Sequence, residues 1–342
     1  MAIVSAMGGE IEETAVFVCA DRQKIDRARL VPVIAQGVPQ LAVCVQGFTE
    51  DAVKRGMRSN GYWSEVFLYN LDTALRLPPL PVLTQPGEFV AAPGPGVVPG
   101  LTVIVPGQLA GLSYEEQALV SLNTAYSMPA FSIPIPIPAV KKVRFEEAVD
   151  LHALGVAGVA LSSPDRPPLV RTRTETWRML EGTLRPHRLY AARPNILIGV
   201  GTTSTGTTAA VAWNIDSPFA LHAFGGRKDV TRVAVSVSGD LVAIADHEEI
   251  GVHSVTGEEV HKRLPVRGRL EAVLVDDTIG DSVYVVCVLD TAIEVWHADS
   301  GTMVGSLPAV GAPVLEARFV TSATGSKLAL ATADRVFIRP LA

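Results

Sequence analysis

Seven histidines, His152, His187, His222, His247, His253, His261 and His297, are the side chains best suited to proton transfer or metal ligation near neutral pH. They are scattered, with no His-Glu-x-x-His run and no local triad, so any catalytic cluster has to be assembled by the fold. The run Asp246-His247-Glu248-Glu249 mixes carboxylates with an imidazole, but its spacing fits no ligand pattern and it reads as a solvated turn. Residues 201–207, GTTSTGT, carry two glycines spaced as in a phosphate-cradling loop. Thr207 stands where such loops have lysine, so a γ-phosphate would find no cation, and the segment reads as a plain loop between strands. These motifs assign no catalytic residue, no metal and no cofactor.

The three cysteines, Cys19, Cys44 and Cys287, form neither a CxxC pair nor an even-numbered framework. That usage fits a reducing compartment, and residues 1–10 lack the basic start and long apolar core of a secretory leader, so an intracellular, cytoplasmic protein is expected. With 48% hydrophobic and 19% charged residues and a net charge of −6, the chain is expected to fold, and it carries no general basic excess for nucleic acid. Residues 141–193 are a local exception, with ten basic and six acidic residues, among them Arg166, Arg171, Arg173, Arg178, Arg185, Arg188 and Arg193. Only Trp177 and Tyr190 are interleaved there for base stacking, so an acidic protein partner or a solvated face ranks above RNA. Two uncharged runs, 89–114 and 117–140, reach membrane-spanning length. Their prolines, Pro93, Pro95, Pro99, Pro106, Pro129, Pro134, Pro136 and Pro138, preclude a spanning helix, and no membrane insertion is expected.

The elements available to position these residues are strands. Helical three-four spacing is almost absent, whereas short valine-rich runs bounded by turn residues recur, as at 14–19, 41–45, 241–245, 283–289 and 327–332. They recur with a period. IEVWHADSG at 293–301, VAWNIDS at 211–217 and VFLYNLDT at 66–73 each show an apolar or aromatic strand followed by an Asx-type turn. Weaker copies place Tyr69, Val120, Thr172, Trp213, His253, Trp296 and Ile338 in register, at steps of 40 to 52 residues, the size of one propeller blade. Flanking strands repeat too, four per unit at 230–264 and again at 270–307.

Val295-Trp296 followed by Asp299-Ser300-Gly301, and the turn Ser236-Val237-Ser238-Gly239-Asp240-Leu241, resemble the WD-repeat family. The resemblance covers most of the chain in degenerate form. No Gly-His dipeptide opens a unit, and His297 stands where the family has aspartate, so the family's hydrogen-bond relay does not carry over. What the resemblance implies is an all-β, seven-bladed propeller of four-stranded antiparallel blades and, by analogy, a scaffold. Counting gives blades near 26–84, 86–140, 141–184, 186–227, 228–267, 268–311 and 312–342 within one domain. The last unit ends after three strands, and residues 13–20, ETAVFVCA, supply a fourth that closes the ring and removes an open sheet edge. Pro78, Pro79, Pro81, Pro134, Pro136 and Pro138 fall at expected outer strands, where a missing N–H costs least.

Two surfaces are candidates for protein binding. The insertion at 47–63, GFTEDAVKRGMRSNGYW, carries Phe48, Lys54, Arg55, Arg58, Tyr62 and Trp63. Thr49 suits an N-cap, so one or two helical turns are expected there, either as a contact site or as an idle decoration. The segment 77–140 has 64 residues without Lys, Arg or Asp and only Glu88, Glu115 and Glu116 as charges. Its outer strand offers Phe131, Ile133, Ile135 and Ile137, to be covered either by another chain or by the segment's own loops. The leading expectation is therefore a non-enzymatic interaction scaffold within a larger assembly, with other protein subunits as partners. The competing one is an enzyme or ligand binder at the channel mouth, which requires the scattered charges of the first strands, Arg29, Arg144, Arg188, Arg232, Glu271 and Arg318, to converge.

Overall fold

The computed structural model describes residues 13–35, 38–50, 62–76, 90–91, 100–104, 116–123, 131–136, 150–153, 158–163, 166–172, 178–192, 195–217, 219–224, 229–278 and 281–341. Among them, 28 strands form seven four-stranded antiparallel sheets. After β1 (Thr14–Val18), blade 1 comprises β2 (Gln23–Ala35), β3 (Val38–Thr49), β4 (Tyr62–Asn70) and β5 (Leu75–Arg76). Blade 2 has β6 (Val90–Ala91), β7 (Gly100–Ile104), β8 (Glu116–Asn123) and β9 (Phe131–Pro136). Blade 3 has β10 (Asp150–Ala153), β11 (Gly158–Ser163), β12 (Arg166–Thr172) and β13 (Arg178–Met179). Blade 4 has β14 (Arg185–Ala191), β15 (Ile196–Thr202), β16 (Thr208–Asn214) and β17 (Ala220–Phe224). Blade 5 has β18 (Arg232–Val235), β19 (Leu241–Ala245), β20 (Glu249–Ser254) and β21 (Leu264–Pro265). Blade 6 has β22 (Leu270–Asp276), β23 (Tyr284–Leu289), β24 (Ala292–His297) and β25 (Thr302–Pro308). Blade 7 has β26 (Val314–Ser322), β27 (Gly325–Thr332) and β28 (Arg335–Pro340), with β1 added beside β28.

The blades are held face to face by apolar side chains on both surfaces of the middle strands, as in β24, where Ile293 and Val295 are buried against blade 7 and Trp296 against blade 5. Buried clusters join blades 3 and 4, 4 and 5, 5 and 6, 6 and 7, and 7 and 1. β6 of blade 2 lies against β2 and β10 and completes the ring. Trp213 shows how the packing is set. Its ring occupies the space where a side chain at Gly199 would stand, and its Nε1 donates to the Glu181 carbonyl at 2.8 Å.

All seven residues aligned by the repeat lie in third strands, and in four blades the next residue caps the turn through its side chain. Asn70 Oδ1 accepts from the Asp72 and Thr73 amides, Asn214 Oδ1 from Asp216, Ser254 Oγ from Glu258, and His297 Nδ1 from Ser300. That local bond is the physical content of the repeated Asx-type turn. His297 performs it with an imidazole.

Ring closure by the N-terminal strand is observed: β1 pairs with β28 from Thr14↔Ile338 to Val18↔Arg335. Val16 and Phe17 are buried among residues of blades 1 and 7, with the Phe17 ring 5.9 Å from Trp63 and 6.2 Å from Phe67. Glu13 anchors the strand by pairing with Arg335 at 3.2 Å and with the buried Arg339, whose Nη1 also donates to the Pro308 carbonyl.

Candidate functional site

The hairpin of blade 1 is longer than the sequence suggests. Gly47 pairs with Trp63 and Phe48 with Tyr62, so Phe48, Tyr62 and Trp63 are ladder residues of β3 and β4 and not part of a free insertion. The reason lies in β2, which starts at Gln23 and runs alongside to Thr49. At its bulge the Lys24 carbonyl comes so close to Gly47 that any side chain there would collide with it. Trp63 stacks on Phe17 and thereby belongs to ring closure. Lys54, Arg55 and Arg58, and the helical turns expected from Thr49 to Gly56, lie outside the described residues beyond Glu50.

In blade 2, Phe131, Ile133 and Ile135 occupy alternate positions of β9, the fourth strand, opposite Ser121, Leu119 and Gln117. Pro134 and Pro136 are in the same strand, while Ile137, Pro138, Pro78, Pro79 and Pro81 lie outside the described residues.

The inner strands carry a feature that no local sequence signal announced. Near the start of four of them the ladder skips one residue: Asp26 in β2, His187 in β14, Glu271 in β22 and Leu315 in β26. Such bulges bend a strand and re-aim its side chains. One residue further along, Arg188 of blade 4 reaches across the channel to Glu316 of blade 7, three blades away in the ring. Glu316 is buried, and its other oxygen pairs with Arg318 at 2.8 Å, whose Nε donates to the Leu30 carbonyl of blade 1. One carboxylate thus ties blades 1, 4 and 7 together. On the blade 5 to blade 7 side, Glu271 takes Arg269 on one oxygen at 2.8 Å and the Val314 amide on the other at 2.9 Å. Arg232 bonds only to backbone, through Nε to the Glu271 carbonyl and through Nη1 to that of Thr231, both at 2.7 Å.

Of the inner-strand charges named from sequence, Arg188 and Arg318 meet on Glu316, while Arg232 and Glu271 meet through the Glu271 carbonyl between blades 5 and 6. The side chain of Arg29 and the whole of Arg144 lie outside the described set. Glu316 was missed, although its position two residues before Arg318 on one strand puts both on the same face. Among the described residues both Glu316 oxygens are held by guanidinium groups, so this carboxylate is engaged in ion pairs and not free to act as a base.

The remaining candidates resolve into structural roles. Asp246 Oδ1 accepts the Glu248 and Glu249 amides, which makes its turn self-capped. In the 201–207 loop, Thr203, Thr205 and Thr207 close a triangle of hydroxyls 2.8 to 3.2 Å apart, and Gly206 takes a φ of 84°. Among the described residues no group of three or more His, Cys, Asp or Glu side chains is arranged to hold a metal ion. His222, Phe224 and His253 meet edge to face at the seam of blades 4 and 5, with His222 lying directly against Gly257. Burial holds the His253 imidazole below its ordinary pKa, and His222 and Arg263 push the same way, against the pull of Glu259. In the basic stretch, Arg178 donates to the Ile215 and Asp216 carbonyls and Arg188 pairs with Glu316, while Arg173, Trp177 and Arg193 lie outside the described residues.

Fold and site together define a seven-bladed β-propeller, sealed by its own N-terminal strand, with a charged and bolted channel. Solved structures of similar fold include two of BBS1N in complex with ARL6DN, one soaked with lead and one with mercury. Their TM-scores to this chain are 0.59 and 0.55, each at 10% sequence identity, over 96% and 98% of this chain and 97% and 98% of theirs. No protein-family model and no curated protein matches the chain.

Proposed function

We propose that this propeller is a protein-interaction scaffold without enzymatic activity of its own, working as a subunit of a larger intracellular assembly. The observation that carries the reading is the composition of blade 2. The segment 77–140 that contains it has three charges in 64 residues and places Phe131, Ile133 and Ile135 on an outer strand. An outer blade surface in contact with water is ordinarily charged, and large uncovered apolar patches are rare on monomers. The fold adds support by likeness, since the structures of BBS1N named above are complexes with a protein, ARL6DN. The repeat is read as a degenerate WD-type repeat, on the strength of Val295-Trp296, the Asp299-Ser300-Gly301 turn and the 236–241 turn.

Affinity purification of the full chain from its native cells, followed by mass spectrometry, tests the proposal. The expected result is one dominant, stoichiometric set of co-purifying proteins. Recovery of the chain alone, at native expression and low salt, overturns it. A second reading, an enzyme or small-ligand binder at the channel mouth, draws on the convergence of Arg188, Glu316 and Arg318. It requires turnover or tight binding of a small molecule by the isolated ring. RNA is the minor alternative, weakened by the internal partners of Arg178 and Arg188.

A further inference from the structure

We propose that the seam between blades 4 and 5 is a pH-operated latch: on acidification the turn at 254–260 of blade 5 lets go of β17, while the other flank of blade 5 stays fastened to blade 6. Four histidines lie along these two flanks, His222 and His253 on the first, His261 and His297 on the second. Histidine is the side chain whose charge changes between about pH 5 and 8. Protonation of facing imidazoles is an established way of separating packed surfaces.

On the blade 4 side, His222 of β17 and His253 of β20 both meet the Phe224 ring edge to face, with centroids 4.8 and 5.6 Å away. Phe224 is buried in one cluster with Val255 of blade 5. His222 is wedged against Gly257, whose φ of 107° and lack of a side chain make room for the imidazole. The groups facing His253 are His222 from blade 4 and Glu259 and Arg263 from blade 5, while β19 opposes it with the uncharged Val242. Glu259 supplies the side-chain attraction, across an isolated bridge to His253, but Arg263 holds both of its oxygens, at 2.8 and 3.3 Å. Arg263 also pairs with Glu249. A proton arriving on His253 therefore meets burial, a second imidazole and a guanidinium, against one carboxylate already matched and the Gly257 backbone. Moving the turn outward with the end of β20 lets water solvate that charge. The turn is suited to such local opening, because Thr256, Glu258, Glu259 and Val260 are exposed and short backbone bonds hold it, from the Ser254, Gly257 and Val260 amides to the Glu258, Ser254 and Val252 carbonyls.

The blade 6 side is built differently. His261 Nδ1 lies 2.7 Å from Asp299 Oδ1, and Lys262 Nζ donates to the Ser300 carbonyl at 3.4 Å, both across the seam. A neutral His261 donates a hydrogen bond to Asp299 and a charged one forms an ion pair, so this contact survives protonation. His297 faces the same carboxylate, with Nε2 3.7 Å from Oδ2, while its Nδ1 accepts from the Ser300 amide and Tyr284 packs on its ring edge to face. One flank of blade 5 thus brings two imidazoles together around an apolar ring, and the other sets a carboxylate between them.

The test is hydrogen exchange of the full-length chain at about pH 7.5 and 5.5, read by mass spectrometry and corrected for the intrinsic effect of pH on exchange. Because the folded ring holds His253 below its ordinary 6.5, protection at 252–260 should fall as pH drops through that value. The expected loss is several-fold and at most about tenfold over this interval, the limit for one imidazole that titrates normally in the open state. Protection at 297–303 of blade 6, and along β15 of blade 4, should be unchanged. His253→Gln should abolish the loss at 252–260, whereas His222→Gln should keep most of it, since burial is the largest cause acting on His253. A change of less than about twofold at 252–260, or an equal loss on both flanks of blade 5, would overturn the proposal. So would a loss that persists undiminished in His253→Gln. Should that variant fail to fold, the wild-type comparison of the two flanks decides.

Discussion

Replacing Phe17 by alanine probes ring closure at its apolar centre. Phe17 is buried at 7% relative exposure, stacked on Trp63 and tilted against Phe67, and it sits in a five-residue strand that covers the edge of β28. Truncation of a core phenylalanine costs roughly 3–5 kcal/mol, and a strand at the outer edge relaxes more easily than a central one, so about 3 kcal/mol is expected. With an unfolding entropy of about 2.1 cal/mol/K per residue, a cooperative unit of this length loses roughly 4 °C in melting temperature. The spatial readout is more specific than the melting shift. Hydrogen exchange of amides along β28 should accelerate, because β1 is its outer partner, while exchange in β15 and β16 of blade 4 stays as in the parent. A melting temperature within about 1 °C of the parent, with unchanged protection along β28, would refute closure by β1.

Glu316→Gln removes the shared carboxylate and leaves Arg188 and Arg318 close together without it. Because both arginine side chains are about one-third exposed, roughly 2–3 kcal/mol of stability should be lost, measured by urea unfolding and smaller at high salt. His253, held below its ordinary 6.5 chiefly by burial, takes up a proton more readily in the unfolded chain. Stability should therefore be held above that pH and decline as pH falls below it, and His253→Gln should flatten the decline in a pH series of thermal melts. Burial, with a smaller contribution from Glu294, pushes the Cys287 thiol up to about 12, so iodoacetamide at mildly alkaline pH should leave it unlabelled in the folded protein and label it in guanidinium, as followed by peptide mass mapping.

What the sequence made legible is what local chemistry fixes. The capping acceptors Asn70, Asn214, Ser254 and His297 act over two to four residues, so the third strand of each of those blades could be placed from its own turn. Closure could be inferred because three terminal strands and one orphan strand leave a single arrangement without an open edge. The ladder positions of Phe48, Tyr62 and Trp63 were not legible, since they depend on how far β2 extends beside them, which is a property of a neighbouring strand. Glu316 escaped notice for a similar reason: its cross-channel partner Arg188 is 128 residues away, and only the ring brings them together. The seam of His222, Phe224 and His253 likewise joins the outer strand of one blade to the third strand of the next.

The measurement that bears most directly on the scaffold account is the mass of the native particle with and without its apolar outer strand. Size-exclusion chromatography with light scattering should find the wild-type chain, purified under native conditions, in a particle well above its own 36.2 kDa. Ile135→Glu combined with Ile137→Glu should elute as the free 36.2 kDa chain with its far-UV spectrum and melting temperature preserved. A double variant that still assembles, or a wild-type chain that elutes alone, contradicts the account. Unfolding of the isolated double variant would contradict it too, by showing that these residues are buried within their own blade.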